Sequence, residues 1–414
     1  MTDDFPNIRH MRVFLEAGQT GSVSAAAERC HLSQPAATQA IARLEQVIGT
    51  ALFVRKRQQA ALTASGALFA ARTRRALGHL QAAALAARKE AEGKPRGDQR
   101  FDLKITAAQL RSLIAVANTG SFTLAAHELG VSQPTVHRSA KTLEAISGMP
   151  FFIARHAGVR LTPAAEAFVT GAKLAAREIR LGREEISREL GAENASFVLG
   201  SLPLARTRIV PRAIHHMVSR YPGVQVRVVE GRYNELLKSL RAGDLDCLIG
   251  ALRDPLPVDD VEQEKIFEDA LAVVAHPDHP LAGQHDLSLG DTMRYPWVAP
   301  PITTPAGQYL FETLRIEDMA QTPVRVVASS MAVLRGMLAE GDYLSVVSKH
   351  QIEVDETLGV IAALDVALQG HVRDIGLTFR RDWQPTQTQS AFIDYLRRSG
   401  RESGLAKRAS TAPP

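Results

Sequence analysis

Residues 32–45 read LSQPAATQAIARLE and residues 131–144 read VSQPTVHRSAKTLE. Sliding the chain by 99 residues lays 8–66 on 107–165 without a gap and with about fifteen identities. Among them are Gly21/Gly120, Ser22/Ser121, Ala26/Ala125, Ala27/Ala126, Ser33-Gln34-Pro35/Ser132-Gln133-Pro134, Leu44/Leu143, Glu45/Glu144, Gly49/Gly148, Phe53/Phe152 and Leu62-Thr63/Leu161-Thr162. One register held through glycines, helix caps and core positions marks a duplicated structural unit, so the fold must contain the same small module twice.

The module can be read from its residues. Ile8, Met11, Phe14 and Leu15 recur at helical spacing, and Gly18 through Gly21 break that helix. Ser22 is placed to cap a short second helix, whose Ala25, Ala26 and Ala27 allow close packing. Ser33 caps a third helix with Pro35 in its first turn, where a missing N–H costs nothing. Ile41 and Leu44 face inward, Ala36, Thr38, Gln39 and Arg43 outward, and Gly49 ends the helix. Leu52-Phe53 followed by Arg55-Lys56-Arg57 fits a basic β-wing. Three short helices and a wing make a winged helix-turn-helix, which puts its last helix in the DNA major groove and its wing on phosphates.

Ser-Gln-Pro opening the third helix, Leu-Glu closing it, then Leu52-Phe53-Val54-Arg55 and Leu62-Thr63 resemble the N-terminal domain of LysR-type transcriptional regulators. The second copy reads Phe151-Phe152-Ile153-Ala154-Arg155, with the wing arginine one place later. The resemblance implies DNA contacts at Ser33, Gln34, Pro35, Thr38, Gln39, Arg43 and Arg55. In the second copy it implies Ser132, Gln133, Pro134, Thr135, His137, Arg138, Lys141 and Arg155. Amides and hydroxyls reach base edges or phosphates, and Arg and Lys neutralise charge. Whether both copies read DNA, or one is a structural prop, stays open at this level.

A long helix follows each module. Thr63 can cap residues 64–91, striped by Phe69, Ala76, Leu80, Ala83 and Ala87. Thr162 caps the second, with Pro163 first and a stripe of Phe168, Ala172, Ala175, Ile179, Gly182, Ile186 and Leu190. Steps of three and four make a helix-pairing seam. In the resembling family this helix pairs antiparallel with its copy from a second chain. Here the two could instead pair within one chain. The joint 92–104 spans at most roughly 45 Å extended, against a helix of roughly 40 Å. The rival arrangement pairs them between chains. The expected organisation is winged helix-turn-helix at 7–66, linker helix 67–91, flexible joint 92–104, winged helix-turn-helix at 105–163 and linker helix 164–192. An effector domain at 196–397 and a disordered tail at 401–414 follow.

Beyond 196, strand-like runs 197–200, 224–229 and 247–250 alternate with helical stretches at 203–220 and 233–242. Later runs at 270–275, 325–328, 343–347 and 374–379 alternate with helices near 307–318 and 330–340. The pattern makes the chain α/β overall. The stretches IVPRAIHHMVSRYPGVQVRVVEG, LLKSLRAGDLDCLIGAL and LAVVAHPDHPLA resemble the family's effector domain, which is similar to periplasmic binding proteins with two α/β lobes around a cleft. Ligands in such folds sit at strand ends and helix N-termini. The resemblance then implies an effector site at Ser201, Leu202, Pro203, Gly250, Ala251, Thr303, Thr304, Ser329 and Ser330, with Arg206 adding charge. A carboxylate or a sugar would suit it.

Charge supports this division. Residues 1–104 hold 16 Lys/Arg against 9 Asp/Glu, a net of +7, and 196–414 hold 23 against 27, a net of −4. A basic front suits nucleic acid. Two cysteines, Cys30 and Cys247, give no disulfide framework, and the N-terminus MTDDFPNIRHMRVF lacks the pattern of a secretory signal. With no apolar run of about eighteen residues, no membrane span is expected. His276, Asp278, His279 and His285 are irregularly spaced in a proline-containing loop, so no metal and no cofactor is expected. No nucleophile elbow, phosphate loop or paired carboxylates suggest an enzyme. The sequence therefore reads as a cytoplasmic, effector-controlled, DNA-binding regulator of LysR type. Expected partners are double-stranded DNA, a small molecule, further copies of itself as dimer or tetramer, and RNA polymerase as a candidate. The alternative is a small-molecule sensor whose helix-turn-helix units are oligomerisation scaffold.

Overall fold

The computed structural model describes residues 5–54, 60–93, 95–156, 158–316, 323–368 and 372–410, with side chains to Glu402. The chain divides into two compact units, one holding residues up to Ala195, the other Ser196–Leu240 and Leu245 onward.

The first unit holds the repeat. Helices α1 (Ile8–Thr20), α2 (Val23–Arg29), α3 (Gln34–Ile48) and α4 (Ala64–Glu90) are followed by α5 (Ala107–Thr119), α6 (Phe122–Leu129) and α7 (Gln133–Ser147). The hairpin β1 (Phe152–Arg155) and β2 (Gly158–Leu161) and helix α8 (Pro163–Glu189) complete it. Every helix boundary of the second set is the first shifted by 99, except that α6 runs one residue longer.

Most of the shared residues have framework tasks. Gly21 and Gly120 take φ 67° and 65°, which ends α1 and α5 in the left-handed region. The Thr20 and Thr119 hydroxyls donate back to Glu16 O and Ala115 O at 2.8 Å. The carboxylate Oε1 of Glu45 accepts the N–H groups of Leu52 and Phe53 at 2.8 and 3.1 Å, and Glu144 does the same for Phe151 and Phe152. Each clamp fixes the chain where it leaves the third helix for the wing. In the first wing Phe53 bridges Leu62 antiparallel. Arg55, Lys56 and Arg57 lie outside the described residues.

Helices α4 and α8 pair antiparallel within the one chain. Ser65 donates to Glu189 at one end, Arg72 meets Glu178 and Glu185 along the middle, and Gly171 lies against His79 and Ala83. The predicted stripes are buried, with Phe69, Leu80, Phe168 and Ala175 at 0% exposure. Leu190 departs from its stripe: it follows the end of α8 and is 60% exposed.

The joint is a correction as well. Expected to be flexible over 92–104, it is packed onto the head. Phe101 is fully buried with its ring 4.9 Å from Phe168, Arg88 donates to Gly97 O, and Arg12 donates to Asp102 O and Leu103 O. The aromatic anchor outweighs the local Gly/Pro signal, because burying a phenyl ring stabilises by about 1.5–3 kcal/mol.

In the second unit, β3 (Ser196–Ser201), α9 (Ile209–Arg220), β4 (Gln225–Glu230), α10 (Tyr233–Arg241) and β5 (Cys247–Ala251) build a parallel three-strand core ordered β4-β3-β5. Next come β6 (Val261–Ala275), α11 (Leu289–Thr292), β7 (Trp297–Ala299), α12 (Pro305–Gln308), β8 (Val324–Val327), α13 (Met331–Glu340) and β9 (Ser345–Ser348). Helix α14 (Glu353–Thr357), β10 (Ala362–Ala363), β11 (Val372–Arg380) and α15 (Gln387–Ser410) close the chain. Strand β11 runs antiparallel to both β5 and β6. Strand β6 pairs with β11 over its first part and with β9 and β10 over its last, so it crosses from one lobe to the other. Only 270–275 of β6 is predicted from sequence, because VEQEKIFED is charged and its inward positions are few. The tail expected from 401 is instead the last part of α15 as far as Ser410. Among the described residues, no helix is long and apolar enough to cross a membrane.

Candidate DNA-reading helices and effector cleft

On α3 the sequence alternates small buried residues (Ala37, Ala40, Ile41, Leu44) with an outer row. On that row Ser33, Gln34, Pro35, Thr38, Gln39 and Arg43 stand away from the core. On α7, Val136, Ala140 and Leu143 turn inward, and Ser132, Gln133, Pro134, Thr135, His137, Arg138 and Lys141 lie on the outer side. The prolines occupy the first turn in both.

Some of these groups already have partners. The Ser33 hydroxyl accepts from Ala36 N at 3.4 Å, and Thr38 donates back to Gln34 O. Ser132 and Thr135 share a hydrogen bond at 2.8 Å, Lys141 pairs with Glu144, and the His137 ring rests 5.3 Å from Phe122. Gln34 and Gln133 differ from the clamp and cap residues in being exposed side chains without a framework bond among the described residues. Arg155 is exposed on β1, beside exposed His156. Arg55 is outside the described residues.

The second unit holds a cavity of about 890 Å³ between its lobes. Leu202, Pro203, Ala251, Thr303, Thr304, Ser329 and Ser330 line it. Ser201 and Gly250 do not, and correct the sequence reading. Ser201 is fully buried with its hydroxyl turned onto Leu202 O, and a Cβ on Gly250 would fall 2.4 Å from a Leu202 methyl. Both stand one layer behind the wall and support Leu202. Thr304 and Ser330 are also caps: their hydroxyls accept from Gly307 N and Val333 N.

Four arginines reach the cleft, against Glu230 and Glu235. Arg206 donates to Ser201 O and pairs with Glu230 at 2.9 Å. Arg253 stacks 4.7 Å over the Tyr233 ring, and burial lowers its pKa from the ordinary arginine value. Arg232 lies at the head of α10. Among the described residues, no carboxylate is within ion-pair reach of Arg232 or Arg253.

Arg373 reaches the cleft from β11 and ends on Asp269, which is fully buried where β6 crosses between lobes. The same carboxylate accepts from Ser348 at 2.7 Å and lies 2.9 Å from His350 Nδ1. Burial alone would raise the Asp269 carboxyl. His350, Arg373 and Ser348 override it and hold it below the ordinary value. Sequence reasoning missed Arg232, Arg253 and Arg373. Arg253 follows the predicted strand end at Ala251 by two places, a usable signal, whereas nothing near Arg373 in the chain points to the cleft.

The model of the LysR substrate binding domain matches residues 191–401, and that of the bacterial regulatory helix-turn-helix protein, lysR family, matches twice, at 8–67 and 107–166. The HTH-type transcriptional regulator GalR of Pseudomonas putida is 31% identical over 377 residues, 91% of this chain and 93% of that one. It is thus long enough to hold both copies. The HTH-type transcriptional regulator PcaQ of Agrobacterium fabrum is 28% identical over 302 residues, 73% of this chain and 97% of its own length. A full-length OxyR variant from Pseudomonas aeruginosa covers 70% of this chain and 97% of its own at 24% identity, with a TM-score of 0.52, a likeness of fold. The chain belongs to the LysR family of DNA-binding transcriptional regulators, with a duplicated helix-turn-helix region and the family's substrate-binding domain. Membership brings DNA and a small-molecule effector as partners, and assembly into oligomers.

Proposed function

We propose that the effector is a small organic acid whose carboxylate is taken by Arg232 and Arg253, and that its binding changes how the outer rows of α3 and α7 engage promoter DNA. The observation that carries this reading is the pair of arginines on the cleft wall without a carboxylate partner among the described residues. A guanidinium facing a cavity is a fork for a carboxylate, whereas a neutral sugar would leave that charge uncompensated. The apolar wall of Leu202, Pro255, Pro300 and Met331 suits a compact carbon skeleton. The α13 N-terminus behind Ser330 adds favourable potential.

The ligand acts as a signal here. The curated relatives are named as regulators, which supports a chain that is not an enzyme and works in the cytoplasm, where DNA is. The outer rows Ser33–Arg43 and Ser132–Lys141 supply the DNA contacts, with Arg155 and Arg55 on phosphates. Effector and DNA are linked, so an acid that alters DNA affinity must itself bind the DNA-bound protein with altered affinity.

Calorimetry of the full chain against a panel of small mono- and dicarboxylates and matched neutral sugars tests this. At least one acid should bind, and Arg253→Ala should weaken it by about tenfold or more, the usual loss with a charged hydrogen-bond partner. Binding by sugars alone, undiminished in Arg253→Ala, overturns the acid reading.

A further inference from the structure

We infer that the two linker helices are a matched but unlike pair that closes the DNA-binding head inside one chain. That chain then reads one non-palindromic DNA site made of two inverted but different half-sites. The inference rests on the DNA-binding reading of α3 and α7.

The seam is heterotypic. Helix α4 contributes Arg72, Arg75 and His79, and α8 contributes Glu178, Glu185 and Glu189. Arg72 and Glu178 are 5% and 4% exposed, 3.0 Å apart. Shifted by 99 residues, Arg72 becomes Gly171, Arg75 becomes Leu174, and Glu178 becomes His79. Two α4 helices in the same register would set Arg75 against His79 and leave Arg72 without a carboxylate. Two α8 helices would set Glu178 against Leu174 and against a second Glu178, burying like charges without an arginine from the facing helix at those positions. Buried charges left unpaired are strongly unfavourable. Sterics agree. A Cβ on Gly171 would fall 2.3 Å from Ala83 Cβ and 2.8 Å from the His79 carbonyl. An α4–α4 pair would place Arg72 at that site. Each helix therefore excludes its own copy and accepts the other.

The pairing is also symmetric in backbone. Gly171 lies against Ala83, and Gly182 lies against Arg72, which is the same contact after the 99-residue shift. An approximate two-fold thus relates the two winged modules, the symmetry with which a dimeric reader meets inverted half-sites. The joint carrying Phe101 is packed against the head, so both modules of the symmetric pair belong to one polypeptide.

The readers themselves differ. Ser-Gln-Pro is common to both, but Thr38, Gln39, Ala42 and Arg43 stand where the second copy has His137, Arg138, Lys141 and Thr142. Base readout follows the side chains on that row. The half-sites should share the bases under Ser-Gln and diverge under the rest.

Selection of duplexes from a randomised pool by the full chain, with sequencing of the bound fraction, is the test. Wild type should enrich an inverted pair with one shared and one divergent block. Gln39→Ala/Arg43→Ala should relax one half only and Arg138→Ala/Lys141→Ala the other, each with about a tenfold weaker affinity. A palindromic motif, or loss of the same half in both variants, overturns the inference and leaves DNA binding standing. Enrichment of no motif by wild type overturns both. Independently, a bismaleimide bridge between Ser65→Cys and Glu189→Cys, with Cys30→Ser and Cys247→Ser, should give a product migrating as one chain. A product exclusively of two chains would overturn the closed head.

Discussion

Residue 31 and residue 130 occupy the same left-handed turn, yet the first copy has His31 at φ 53° and the second Gly130 at φ 63°. A non-glycine residue there carries roughly 1 kcal/mol or more of strain. His31→Gly should therefore stabilise the first module by about that amount, seen as a higher denaturant midpoint at unchanged slope. The glutamate clamps behave oppositely. Glu45→Ala leaves the N–H groups of Leu52 and Phe53 without their acceptor. The expected loss is about 1–3 kcal/mol, and Glu144→Ala should match it. The Leu-Glu pair was legible in the sequence as a repeated dipeptide. That its carboxylate reaches seven residues forward to the wing was not, since such a bond depends on how the chain turns after Gly49.

Helix pairing sets the next scale. Burial alone would raise the Glu178 carboxyl, but His79, 3.9 Å away, and the charges of Arg75 and Arg72 lower it to about 2 from 4.5. A depressed carboxyl contributes stability that is complete above its unfolded value and is lost as pH falls through the folded one. The seam should thus be fully strengthened above pH 4.5 and weaken toward pH 2. Removing the charge with Glu178→Gln should cost on the order of 3 kcal/mol near neutral pH, and denaturation across this window should show the gap closing with acid. Gly171→Leu should open the seam by overpacking, about 1–3 kcal/mol, and Ala83→Gly should recover part of the loss. The apolar stripes of α4 and α8 were readable by period. The identity of their partner was not, because a stripe specifies a face and the charges beside it specify which face it meets.

For the molecule as a whole, β6 and β11 connect the lobes of the effector unit, and Asp269 joins β6, β9 and Arg373 where they meet. Asp269→Asn strips the charge that Arg373 and His350 share. It should destabilise this unit by about 3–5 kcal/mol, the range for breaking a buried ion pair, and flatten its loss of stability in acid. It should also raise affinity for the acidic effector, because Arg373 then faces the cleft without its carboxylate partner. Calorimetric unfolding and ligand titration of one variant check both.

The order of amino acids was enough to specify the duplicated module, its caps and breaks, the outer rows of α3 and α7 and the alternation of the effector unit. Those features are local: glycine at positive φ, proline in a first turn and apolar residues at a fixed period act over a few residues whatever surrounds them. The remainder emerged with the folded chain. Folding paired Arg72 with Glu178 across 106 positions of sequence. It packed the joint through Phe101, set Ser201 and Gly250 behind the cleft wall, and brought Arg232, Arg253 and Arg373 to one cavity. Such contacts join residues distant in sequence, and their energies exist only once burial has removed the water that would otherwise satisfy each charge alone.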